Sequence, residues 1–84
     1  MNDPNQITGA VHHVGRFHDQ PGWHVFTDYL TADGGACCVA DVGPFASQDA
    51  AQVCADMATA QGVEDIGADM VRQARRAYLS RVLK

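Results

Sequence analysis

The side chains best suited to chemistry are crowded into one short stretch. His12, His13, His18 and His24 are all four histidines of the chain, and imidazole is the commonest metal ligand, so a zinc site is the first chemistry to weigh. In an extended strand, neighbouring side chains point to opposite faces, which separates His12 from His13 unless a bulge intervenes. No C-x-x-C or H-E-x-x-H spacing supplies further ligands. The pattern fits strand histidines that are hydrogen-bonded or face solvent, and no metal is predicted.

The three cysteines, Cys37, Cys38 and Cys54, are the next candidates. Cys37 and Cys38 are adjacent on an expected strand, so they point apart and cannot share a ligand or a disulfide with each other. An odd number without zinc-type pairing argues against a secreted disulfide framework, and the thiols read as small, reduced hydrophobes. Nucleophilic catalysis would need a thiolate beside a base, for instance Cys37 facing a histidine of the first strand. The sequence has no nucleophile elbow, triad order or oxyanion loop to complete such a site. Its glycines match neither G-x-G-x-x-G nor the P-loop pattern. No enzyme and no cofactor are expected.

Charge is the third feature. The net charge is −4, yet all ten acids and one base, Arg16, lie within residues 1–71, whereas Arg72, Arg75, Arg76, Arg81 and Lys84 follow without an acid among them. Arg72, Arg75 and Arg76 share one side of a helix and could contact phosphates. Bases also favour a helix C-terminus for dipole reasons, and an acidic chain repels nucleic acid overall.

These residues need elements to position them. At 84 residues and 46% hydrophobic composition, the chain suits one globular core. Residues 1–6 read as a flexible leader before a single α+β domain over 7–84, because Pro4 and its polar neighbours disfavour regular structure. A first strand is predicted over Ile7–His18, with a bulge near His12–His13 to reconcile the opposite parities of Val11 and Val14. Asp19-Gln20-Pro21-Gly22 suits a type II turn. A second strand follows from Trp23 to Leu30, then a two-residue type I′ turn at Asp33-Gly34, and a third strand from about Gly35 to Val42.

Counting outward from that turn pairs Leu30 with Cys37, Tyr29 with Cys38, Asp28 with Val39 and Phe26 with Asp41. One face then carries Trp23, Val25, Tyr29, Cys38, Ala40 and Val42 and should lie on the core. The other carries Phe26, Leu30, Cys37 and Val39 beside Asp28 and Asp41. Ser47 is a natural N-cap for a helix to about Gln61, with Gly62 as its stop. Ala50, Val53, Cys54, Met57 and Ala58 form its buried stripe, leaving Asp49 and Asp56 in water. A second helix is predicted over Glu64–Leu83 with Ile66, Met70, Val71, Ala74, Ala77, Tyr78 and Val82 inward and Leu79 and Leu83 outside. The expected fold is βββαα: an antiparallel three-stranded meander with two helices packed on one face.

No apolar run approaches the roughly 20 residues of a membrane span, and the first residues lack a signal peptide's basic and apolar regions, so a cytoplasmic protein is expected. Val42-Gly43-Pro44-Phe45-Ala46-Ser47 followed by Ala50-Ala51 resembles the strand-to-helix junction of small bacterial and phage domains, including the repeat of peptidoglycan-binding SPOR domains. A SPOR domain needs a second βαβ half, so glycan binding is not carried over. As a short, acidic, motif-poor chain it is also similar to the anti-CRISPR proteins of phages and other mobile elements. That resemblance implies a protein that occupies a surface of a CRISPR effector in a bacterial host cell, with Asp28, Asp41, Asp49 and Asp56 available where nucleic acid would sit.

The residue reading points the same way, since apolar residues ringed by acids suit a basic protein surface. The expectation is a non-enzymatic inhibitor or adaptor using Phe26, Asp28, Leu30, Val39, Asp41, Asp49 and Asp56. Arg72, Arg75, Arg76, Leu79 and Leu83 form a second candidate face, for a homodimer or for nucleic acid. The alternatives are a nucleic-acid-associated regulator built on the basic helix and a small metal or redox protein built on the histidines and cysteines.

Overall fold

The computed structural model describes residues 6–83, with the side chains of 37–39 outside that description. The predicted leader therefore lies almost wholly outside the described residues. Strands β1 (Ile7–Gly15), β2 (Trp23–Thr31) and β3 (Ala36–Phe45) form one antiparallel sheet in the order β1-β2-β3, followed by α1 (Gln48–Ala60) and α2 (Ala68–Val82). This is the predicted βββαα order. α1 lies across the sheet against all three strands. α2 packs chiefly on α1 and reaches the sheet at the end of β3, where the Arg75 guanidinium donates to the Pro44 carbonyl and lies over the Phe45 ring.

β1 ends at Gly15, three residues earlier than predicted, and runs regularly past His12–His13. Its irregularity lies between Ile7 and Gly9 instead. No bulge reconciles Val11 with Val14: Val14 packs on the core while Val11 stays exposed on the opposite face. In the following connection the turn falls at His18–Asp19, ahead of the predicted Pro21–Gly22, although Gly22 does adopt a positive φ of 90°.

The β2–β3 hairpin also differs from the two-residue turn. Gly34 N–H donates to the Thr31 carbonyl and Thr31 N–H to the Gly35 carbonyl, which makes Ala32-Asp33-Gly34 a three-residue loop. Gly34 takes φ 86°, a conformation a side chain would disfavour. The Asp33 carboxylate stabilises the loop by accepting from the Thr31 hydroxyl and from Gly35 N–H. The same two bonds, the hydroxyl first, hold the Asp33 carboxyl below its ordinary value.

The longer loop pairs Tyr29 with Cys37 and Leu30 with Ala36, one position off the prediction. An irregularity between Asp28 and Tyr29 absorbs the difference, so Asp28–Val39 and Phe26–Asp41 pair as predicted.

The Ser47 hydroxyl caps α1 by accepting from Ala50 N–H, and it donates to the Tyr78 hydroxyl, tying the start of α1 to α2. At the other end Gly62 has φ 68°, with Gly62 N–H on the Thr59 carbonyl and Val63 N–H on that of Ala58, a Schellman cap. The buried face of α1 is wider than the predicted stripe: Ala51 and Ala55 join Ala50, Val53, Cys54 and Ala58. Its positions span an arc of roughly 200° at about 100° per residue, because the sheet and α2 cover the helix from two sides.

α2 starts at Ala68 rather than Glu64. Gly67 takes the N-cap position with an extended backbone, and Glu64 and Asp65 fall in the linker. Met70 and Ala74 are buried, whereas Val82, expected inward, is exposed along with Leu79 and Leu83 because α2 runs on past its contact with the core. Of the predicted core face, Val25 is fully buried and Trp23 and Val42 pack on the core, but Ala40 is exposed. Cys38 there, like Cys37 and Val39 on the other face, has a side chain outside the described set. The molecule is a thin, elongated body of 52 × 30 × 17 Å.

Candidate functional site

Cross-strand partners share a face, so the register arranges the outer side of the sheet in rows. Leu30 pairs with Gly9, Asp28 with Val11, Phe26 with both His13 and Asp41, and His24 with Gly15. The even positions of β2 therefore all face away from α1. Odd positions Val25, Thr27 and Thr31 are buried on the helix side.

The outer face has a closed end and an open end. At the closed end His24 is only 6% exposed although no helix covers it. Its cover is Phe17, just beyond β1, whose ring meets His24 edge-on at 4.7 Å and Phe26 at 5.2 Å between centroids. Phe26 also lies over Gly15, where a Cβ would come within 2.8 Å of the ring. At the open end Val11 is 48% and Leu30 38% exposed, and they stand beside the half-buried Asp28.

The two carboxylates predicted on this face are not isolated acids. His13 Nε2 is 3.2 Å from Asp28 Oδ2, and His24 Nδ1 is 3.1 Å from Asp41 Oδ2. A carboxylate only accepts, so each histidine presents N–H to its partner. Each carboxylate keeps further acceptor positions for an incoming donor. The histidine pattern in the sequence shows that these residues are near each other in the chain; the contacts with Asp28 and Asp41 join diagonal neighbours on adjacent strands rather than direct cross-strand partners.

His12 belongs to the other face, as alternation requires. Its Nε2 lies 2.6 Å from the Val63 carbonyl and so donates, and its Nδ1 is 2.8 Å from the Thr27 hydroxyl, which can donate or accept. These two bonds tie the α1–α2 linker to the sheet. Tyr29 does the same by donating its hydroxyl to Asp65.

Chemically, His24 with Asp41 on Nδ1 has the form of the orienting half of an acid–base pair. Its Nε2 is buried without a hydrogen-bond partner. The ring is enclosed by Phe17, Phe26 and Gly43, whose absent side chain is required because a Cβ there would lie 2.9 Å from Nδ1. No nucleophile adjoins it among the described residues. Those residues also contain no group of three His, Cys, Asp or Glu side chains that could hold a metal ion. Burial raises the Cys54 thiol above its ordinary value, an effect only partly opposed by Arg75, so this cysteine is held in its unreactive form.

The remaining predicted residues are not brought to this face. Asp49 and Asp56 line a groove of about 300 Å³ between the helices, facing Arg81 and Tyr78, and Gln52 donates to Asp56. They lie on the opposite side of α1 from the sheet, so Asp28 and Asp41 form no continuous acidic surface with them. On α2, Arg72 pairs with Asp69 and Arg75 is engaged with Pro44 and Phe45. Leu79 borders an apolar groove of about 210 Å³ with Phe45, Ala50 and Tyr78, while Arg76 and Leu83 are exposed. Sequence reasoning missed Val11 and Phe17; the opposite parity of Val11 and Val14 was the available signal for Val11.

No helix among the described residues is long and apolar enough to cross a membrane. Comparison with known proteins finds no matching family model, curated protein or solved structure.

Proposed function

We propose that this chain is a non-enzymatic protein-binding inhibitor or adaptor that docks the open end of its outer sheet face on a basic surface of a partner. The observation that supports this reading is that Val11, the β1 partner of Asp28, and Leu30, two residues further along β2, stand exposed beside it, while α1 lies on the opposite face of the sheet. Apolar residues at the centre of such a face supply burial, and the free acceptor positions of Asp28 and Asp41 select lysine or arginine on the partner. In its sharpest form the partner is a CRISPR effector subunit in the bacterial cytoplasm, whose nucleic-acid-binding surface has that character.

The basic-helix alternative has less support, because Arg72 and Arg75 already hold intramolecular partners. The metal and redox alternative has an enclosed His24 and a buried Cys54 as its material.

Affinity capture from a bacterial host lysate, read by mass spectrometry, tests the reading. Wild type and an Asp49→Lys variant on the far side should capture the same protein, and Asp28→Lys combined with Leu30→Lys should lose it. Equal capture by the outer-face variant would overturn the assignment of the face. For the sharper form, expression in a CRISPR-immune strain should restore phage plating in wild type and not in that double variant.

A further inference from the structure

The two edges of the sheet are unequally protected. β3 has a register irregularity opposite Asp28–Tyr29 in its first half, carries Asp41, Gly43 and Pro44 in its second half, and has its end engaged by Arg75. Charges, prolines and bulges are the usual devices that stop an edge strand from pairing further, and beyond the irregularity at its start, between Ile7 and Gly9, the β1 edge is bare of them. Ile7-Thr8-Gly9-Ala10-Val11-His12-His13-Val14-Gly15 contains no Asp, Glu, Lys, Arg or Pro, and among the described residues β2 pairs with one of its sides. Among the described residues, the backbone bonds outside the helices and strands include none from Ile7–Gly15 to another segment. A groove of about 180 Å³ beside this strand, lined by Gly9, Ala10, Ala58 and Gly62 among others, leaves space between the edge and the end of α1.

We infer that β1 pairs antiparallel with β1 of a second copy of this chain, joining two sheets into one of six strands about a two-fold axis through Val11. The strand sequence itself selects this occupant. Within the regularly paired run that begins at Gly9, Val11 meets the second Val11 and Gly9 meets His13, so a bulky residue faces a glycine. On the helix side Ala10 meets His12. Every pair combines a larger side chain with a smaller one or matches valine to valine, and no like charges oppose. An unrelated strand would satisfy the backbone but would not reproduce this alternation. The dimer would also place the two open ends side by side, because Val11 belongs to the outer face.

This dimer is distinct from one through Leu79 and Leu83, and it does not rest on the proposed function. Light scattering on the purified chain should give twice the monomer mass. Val11→Lys alone and Val11→Glu alone each put like charges on the axis and should weaken the dimer roughly tenfold or more. An equimolar mixture of the two variants should restore it as a heterodimer, which also shows that both fold. Leu79→Glu should leave the dimer intact. A monomeric wild type, or a dimer that persists in both Val11 variants and dissolves with Leu79→Glu, would overturn the inference. Capture that still depends on Asp28 and Leu30 would leave the proposed function standing in either case.

Discussion

The two faces of the sheet are closed by different means. On the inner face Val25, Thr27 and Thr31 lie beneath α1, and the small residues Ala50, Ala51, Ala55 and Ala58 are buried on that helix, so its backbone can approach both neighbours closely. Among the described residues the outer face has no second layer, and burial depends on Phe17 folding back over His24 and Phe26. A helix seals a face along its whole length, whereas an aromatic side chain seals only as far as its ring extends. Beyond the reach of Phe17 lie Val11 and Leu30, both exposed.

The largest effect should come from the core side. Phe45→Ala removes a ring that is 2% exposed and supports Arg75, and it should cost about 3–5 kcal/mol in urea unfolding. If Phe17→Ala cost as much, the distinction between a layered face and a strapped one would fail. Phe17→Ala should instead cost about 1–2 kcal/mol and open the His24 ring to solvent. Faster hydrogen–deuterium exchange at the His24 ring carbon between its nitrogens would report that opening, and unchanged protection would mean that Phe17 is not the seal.

The smallest effect belongs to the hairpin, where Asp33 is fully exposed and order comes from loop hydrogen bonds rather than burial. Its folded carboxyl is held below the ordinary value of 3.8. The associated stabilisation is present above that ordinary, unfolded value and is lost as pH falls through the lowered folded value. An NMR titration should place Asp33 below 3.8 in wild type and move it upward in Thr31→Val; a wild-type midpoint at or above 3.8 would contradict the loop assignment.

Element order was legible because each signal was local: alternation in β2, the Ser47 cap, and Gly62 closing α1. The middle of the β2–β3 register was legible for a less secure reason. The loop is one residue longer than Asp33-Gly34 suggests, and the extra residue is absorbed before Asp28–Val39, so Phe26 and Asp41 still meet. The start of α2 was misplaced because Glu64 and Asp65 look like a helix's acidic first turn, whereas Asp65 is engaged with Tyr29 of the sheet. The histidine–aspartate pairs were not read from the sequence, since His13 reaches Asp28 and His24 reaches Asp41 diagonally rather than as direct cross-strand partners. The opposite directions of His12 and His13 were, because alternation within one strand is enough to fix them.

The elongated body has a hydrodynamic consequence. Its radius of gyration is 14.1 Å, against about 12 Å for a compact chain of this length. A particle of this shape diffuses slowly for its mass, so a monomer would leave a sizing column early, where a rounder and heavier protein is expected. Elution volume alone would therefore count one copy as more than one, and absolute mass has to settle how many chains are present.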